Sequence, residues 1–164
     1  MNTPSPTTRH NQHVQPVQLV LDVTTQRLDL QQQNGTTLSY PVSTSKYGLG
    51  TEEGSFRTPT GRFRIYAKFG ENAPAWMSFK GRKPTGVIAS SGGEEDLILS
   101  RILWLEGLDP ENSNTRDRYI YIHGTNQEDQ IGTPASHGCV RLRNSQMMEL
   151  FDLVEEGTPL LINA

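Results

Sequence analysis

Ser136-His137-Gly138-Cys139-Val140-Arg141 contains the chain's one cysteine, with a histidine two residues before it and a glycine immediately before it. A thiol at its free pKa is only slightly ionised at neutral pH. Cysteine catalysis therefore needs an imidazole to take the proton and a water-poor pocket to hold the substrate. Gly138, lacking a side chain, lets backbone N–H groups close on the oxygen that becomes negative when a carbonyl is attacked. A buried structural cysteine behaves as a small hydrophobe and needs neither neighbour. The loop composition of Ser136-His137-Gly138 therefore points to chemistry at Cys139.

Upstream, Tyr119-Ile120-Tyr121-Ile122-His123 alternates β-forming residues, so Tyr119, Tyr121 and His123 share one strand face and Ile120 and Ile122 the other. Two histidines compete as the base. Along an extended segment His137 and Cys139 point to the same side without their polar atoms having to meet, whereas His123 on a neighbouring strand can meet the thiol squarely.

The rest of the chain reads as short strands. Val17, Leu19, Leu21 and Val23 alternate with mostly polar partners, Thr24-Thr25 turns the chain, and Leu28 and Leu30 continue it as a hairpin. Asn34-Gly35 suggests a tight turn with two positive-φ residues, after which Leu38, Tyr40 and Val42 resume the period of two. A glycine-rich loop from Gly48 to Gly61 leads into a strand with Phe63, Ile65, Ala67 and Phe69 inward. Ala73 to Lys83 reads as a short helix or a substrate-side loop, and the apolar run Leu97–Leu105 as an interior strand or a mixed turn. One helix is clear: Asn144 as N-cap, a stripe of Met147, Leu150, Phe151 and Val154, and Gly157 as the stop. Thr158 to Ile162 closes as a last strand. The fold class is mainly β, with one helix placed after the cysteine loop.

The 164 residues suit one domain over 16–164 behind a polar tail over 1–15. A net charge of −3, without a lysine or arginine run, argues against nucleic acid or an anionic membrane surface as partner. One cysteine forms no internal disulfide, and the absence of C-x-x-C spacing gives no structural zinc signal. Met1 to Gln15 shows no apolar h-region, so a cytoplasmic location is expected; prior removal of a leader would make it periplasmic instead. Composition leaves the oligomeric state open.

IHGT at 122–125, IGTPASHGCVRLRN at 131–144 and YPVSTSKYGLGTEEGSFRTPTGRFRI at 40–65 together resemble the YkuD-type L,D-transpeptidase catalytic domain, from about Val17 to the C-terminus. The resemblance implies a β-rich fold in which Cys139 is the nucleophile and His123 the general base. It further implies that the Gly124 carbonyl orients His123 and that the backbone N–H groups of His137, Gly138 and Cys139 form the oxyanion hole. No cofactor or metal is implied. Some members carry asparagine two residues after the cysteine, where Arg141 stands here, as in many Gram-negative relatives. Ser136 and Arg141 are substrate-binding candidates. The arginine fork suits the free acid of a stem peptide, or equally an acidic partner that locks the loop. Tyr119, Tyr121, Trp76 and Trp104 are read as core rather than as cleft contacts.

The implied substrate is a peptidoglycan stem peptide, cleaved between an L-centre at its third residue and the terminal D-alanine. An amine acceptor gives a 3-3 crosslink or attaches a lipoprotein, and water gives an L,D-carboxypeptidase. The polar N-terminal stretch favours water, and hence trimming of tetrapeptides in murein recycling, with L,D-transpeptidase as the alternative. A zinc-binding module using His123, His137, Cys139 and a tail histidine is the distant alternative.

Overall fold

A computed structural model describes residues 17–164; the polar 1–15 stretch lies outside the described residues. Strands β1 (Gln18–Asp22), β2 (Arg27–Gln31) and β3 (Thr37–Pro41) form an antiparallel meander. Period-two alternation buries Leu19, Leu21, Leu28, Leu30 and Tyr40 on one face. In the turn before β3 only Gly35 takes a positive φ, of 83°. The side chain of Asn34 instead accepts the Thr36 amide at 2.9 Å, so a side-chain turn replaces the second positive-φ residue.

β4 (Gly61–Phe69) buries Phe63 and Ile65, but a register shift between Ile65 and Ala67 breaks the alternation and leaves Ala67 and Phe69 only half-buried. The segment from Ala73 to Lys83 is neither helix nor open loop. It enters β5 (Met77–Lys80), which pairs as a hairpin with β6 (Lys83–Ile88). Its period is unreadable for a physical reason: the pairing is irregular between Met77 and Phe79, and β6 is exposed along its whole length.

The ambiguous apolar run becomes β7 (Ile98–Gly107), an interior strand paired with β4, β5 and β8 (Tyr121–Gly124). Neighbours along both edges and packing on both faces explain why it carries almost no polar alternation. β8 starts later than the alternation suggests, because Tyr119 takes a φ of 55° outside the strand. β9 (Val140–Leu142) runs parallel to β8 directly after Cys139.

Helix α1 (Asn144–Leu153) buries Met147, Leu150 and Phe151, with Val154 just beyond its end, and packs on β7 and β8. Asn144 is not the cap but the first helical residue, and its amide donates to the Glu128 carboxylate at 2.7 Å. That carboxylate takes the place of an N-cap side chain. β10 (Pro159–Asn163) runs parallel to β1 and antiparallel to β4. Among the described residues ten strands make one sheet, in the order β3-β2-β1-β10-β4-β7-β5-β6, with β8 and β9 branching from β7. The main core holds the meander, β10, α1 and the Ile120, Ile122 and Val140 side chains. Phe79, Ile102 and Tyr121 form a smaller core, against which Met77, Trp104 and Cys139 pack.

Candidate active site

The parallel register sets Ile122 beside Val140 and His123 beside Arg141. Residues in register project to the same face, and faces alternate along a strand. Ile122 and Val140 therefore enter the main core, while Tyr121, His123 and Arg141 share the opposite face with Cys139. The backbone that aims His123 is irregular. β7 shifts register between Leu99 and Ile102, the residues opposite Gly124 and His123, and Ser100 takes a φ of 69°. Ser100 Oγ donates to Asn144 Oδ1 at 2.6 Å, and Asn144 Nδ2 donates to the Thr125 carbonyl at 2.7 Å. Asn144 thus ties the β7 bulge, the end of β8 and the start of α1 together. A Cβ at Gly124 would collide with Asn144 Oδ1 and stand 2.7 Å from the Leu99 carbonyl oxygen, so the close approach demands glycine.

His123 is buried, and its Nδ1 lies 2.6 Å from the Gly124 carbonyl oxygen. A carbonyl only accepts, so Nδ1 carries the proton and Nε2 presents its lone pair. Burial lowers the imidazole pKa below its ordinary value; Asp96 and the Gly124 bond oppose that shift, and Arg141 adds to it. The Cys139 sulfur accepts the Tyr121 amide at 3.3 Å, and its S–H faces the Tyr119 carbonyl at 3.6 Å. Burial pushes this thiol up to about 12, the Tyr121 N–H draws it down, Asp96 raises it, and Arg118 and Arg141 lower it. Both shifts favour the neutral thiol and the neutral imidazole over the charged pair. Among the described residues, neither His123 nor His137 hydrogen-bonds the sulfur.

The loop before Cys139 is held from several sides. Ser136 Oγ donates to the Cys139 carbonyl at 2.6 Å and accepts the Gly138 amide at 3.3 Å, while Thr58 Oγ1 donates to the Gly138 carbonyl at 3.0 Å. Gly138 has a φ of 122°, a conformation L side chains rarely adopt. Of the three amides expected to be free, that of Gly138 is therefore engaged by Ser136. Those of His137 and Cys139 have no partner among the described residues.

The two substrate-binding candidates, Ser136 and Arg141, both have partners within the chain. Ser136 is wholly buried and brackets the loop. Arg141 is also wholly buried; its guanidinium donates to Gln127 at 2.7 Å, Gln130 at 3.0 Å, and Asp96 and Ser43 at 3.2 Å. The Asp96 contact is of the kind the loop-lock reading of this arginine calls for. Asp96 also accepts His137 Nδ1 at 2.9 Å, so one carboxylate joins the ring before the cysteine to the guanidinium after it. Burial tends to raise the Asp96 pKa, but His123, His137 and Arg141 together hold it below the ordinary carboxylate range.

Asp96 follows Gly93-Glu94-Glu95 in a stretch that reads as a solvated acidic turn, and the sequence offers no signal for its role. Arg118 also lacks a motif. It donates to the Arg57 carbonyl at 2.8 Å and the Gly50 carbonyl at 3.3 Å, holding the glycine-rich loop near Cys139. Of the four aromatics read as core, Tyr121 is buried, whereas Tyr119 is exposed and stacks on Trp104 with 6.0 Å between ring centroids. Among the described residues no three histidine, cysteine or acidic side chains converge as a metal site, and no helix is long and apolar enough to cross a membrane.

Fold and site together define a mainly-β domain with a cysteine loop set beside a strand-borne His-Gly pair. Residues 16–162 match the family model for the L,D-transpeptidase catalytic domain, YkuD, and the chain belongs to that family. It is 28% identical over 117 residues to YqjB of Bacillus subtilis strain 168, covering 71% of this chain and 57% of that protein. It is 35% identical over 105 residues to the probable L,D-transpeptidase ErfK/SrfK of Escherichia coli K12, covering 64% of this chain and 26% of that protein. The chain thus spans little more than half of the first and about a quarter of the second. An L,D-transpeptidase from Mycobacterium smegmatis shares the fold, with a TM-score of 0.60 and 22% identity over 90% of this chain and 58% of that one.

Proposed function

We propose that Cys139 performs acyl transfer on peptidoglycan stem peptides as an L,D-transpeptidase. The observation that carries this reading is the Nδ1–Gly124 hydrogen bond of His123, which leaves Nε2 as a base on the sheet face shared with Cys139. His123 Nε2 takes the S–H proton as the sulfur attacks the carbonyl of the third stem residue. The free His137 and Cys139 amides are the donors for the oxygen that becomes negative. The C–N bond to D-alanine then breaks, the imidazolium proton passes to the departing amine, and a thioester remains on Cys139.

An amine of a second stem peptide resolves the thioester to a 3-3 crosslink, whereas water resolves it to a shortened peptide. The name of the ErfK/SrfK relative supports the amine. The expectation of water, and with it recycling in the cytoplasm, rests on the 1–15 stretch outside the described residues. Incubating the protein with a tetrapeptide ending in D-alanine, with and without an amine acceptor, separates the outcomes by product mass. A dimer smaller by one D-alanine is expected, and tripeptide as the sole product in the presence of acceptor would replace transpeptidation with carboxypeptidation.

A further inference from the structure

The turn between β5 and β6 is Gly81-Arg82, with φ values of 56° and 62°. Both central residues of such a hairpin turn lie in the left-handed region, where glycine and asparagine are favoured and a long side chain is disfavoured. Arg82 occupies this position nonetheless, and its guanidinium is directed back over the sheet. It lies 4.2 Å from the Trp104 ring centroid and 5.6 Å from that of Tyr119, and donates to the Tyr121 hydroxyl at 3.0 Å. Two of these three residues meet the sulfur through their backbones: the Tyr121 amide donates to Cys139 Sγ, and the Tyr119 carbonyl faces it.

Arg82 lacks a carboxylate. Five ion pairs occur among the described residues, and none includes Arg82 or its cationic neighbours Lys80 and Lys83. The hydroxyl bond uses one N–H of a planar group that offers five and matches a carboxylate in bidentate fashion. Arg82 also lines a cavity of about 450 Å³ with apolar walls from Phe69, Ala73, Met77 and Phe79. A charge pair at such a wall is stronger than one in open water.

We propose that Arg82 is a specificity-determining residue that binds the terminal carboxylate of the donor peptide, the free acid of the departing D-alanine. This assignment rests on the function proposed above. A D-alanine carboxylate lies only a few bonds from the carbonyl under attack, so its anchor must stand on the sulfur's side of the sheet, and Tyr121 spans the two, its amide on the sulfur and its hydroxyl on Arg82. The Trp104 and Tyr119 rings hold the planar guanidinium in orientation before the substrate arrives.

The test compares a tetrapeptide ending in free D-alanine with its C-terminal carboxamide, as the ratio of kcat/KM for amine release. The wild type is expected to favour the acid by roughly 10- to 100-fold, as for a hydrogen-bonded charge. Arg82→Gln brings the ratio to near one, chiefly through KM on the acid, and Arg82→Lys leaves an intermediate ratio. Should Arg82→Gln not fold, the ratio in Arg82→Lys decides: a ratio below the wild type supports the assignment and an unchanged one overturns it. An unchanged ratio in Arg82→Gln, with both rates lowered together, would show that Arg82 only pins the hairpin. A wild type without preference for the acid would likewise overturn the assignment and leave the function standing. A wild type that releases neither amine would remove the function, and the assignment with it.

Discussion

The imidazole Nδ1 of His123 is hydrogen-bonded at 2.6 Å to the carbonyl oxygen of Gly124, its immediate successor in the chain. The bond fixes tautomer and ring orientation with backbone alone, where other sites use a side chain. His123→Gln removes the base while keeping a polar group of similar size. It should lower kcat/KM for D-alanine release by roughly two or more orders of magnitude, with the circular dichroism spectrum retained. A greater loss from His137→Gln would transfer the role of base to His137.

Burial pushes the Cys139 thiol up to about 12 and holds the His123 imidazole below its ordinary value. A neutral pair should therefore precede the attack, with no preformed thiolate. Alkylation of Cys139 by iodoacetamide should rise steadily from pH 7 to pH 10. A plateau reached near pH 6 would instead reveal a thiolate–imidazolium pair.

Arg141 combines complete burial with a carboxylate and three neutral acceptors. Removing one member of a buried ionic network leaves the other groups unpaired, so Arg141→Met should cost about 3–5 kcal/mol in urea unfolding. A loss below about 1 kcal/mol would contradict a stabilising role for this buried network.

Much of the fold is legible in the sequence because the meander and α1 each pack one face against a single core. Leu19, Leu21, Leu28 and Leu30 display the period of two, and Met147, Leu150 and Phe151 the helical stripe. The β5–β6 hairpin is not legible, since an exposed strand carries no burial period and its turn places arginine where glycine is the usual signal. At the site, the Cys139 and His123 positions stand out through their glycine neighbours. Asp96 does not, because its partners His137 and Arg141 are more than forty residues away in sequence and meet it only through the fold. Asn144 illustrates a local signal overridden by tertiary contacts: a good capping residue is drawn one position into the helix by Ser100 and Thr125.

Asp96 and His123 both have pKa values below their ordinary ones in the folded chain, so at falling pH the unfolded state takes up protons first. The stability tied to His123 is complete above the ordinary imidazole range and declines once the pH drops below it. That tied to Asp96 is present above the ordinary carboxylate range and is lost as the pH falls through its depressed pKa. Urea midpoints should therefore decrease from pH 7.5 to 5.5 and again toward pH 3, and Asp96→Asn should flatten the second decline. A constant midpoint over this range would contradict the buried neutral imidazole.

The thioester on Cys139 is the central claim, and intact-protein mass spectrometry after brief exposure to a tetrapeptide ending in D-alanine tests it most directly. The account predicts an adduct of the tetrapeptide less D-alanine, mapped to Cys139, discharged by an amine acceptor and missing from Cys139→Ser. D-alanine release by Cys139→Ser at the wild-type rate, or an adduct mapped to another residue, would contradict it.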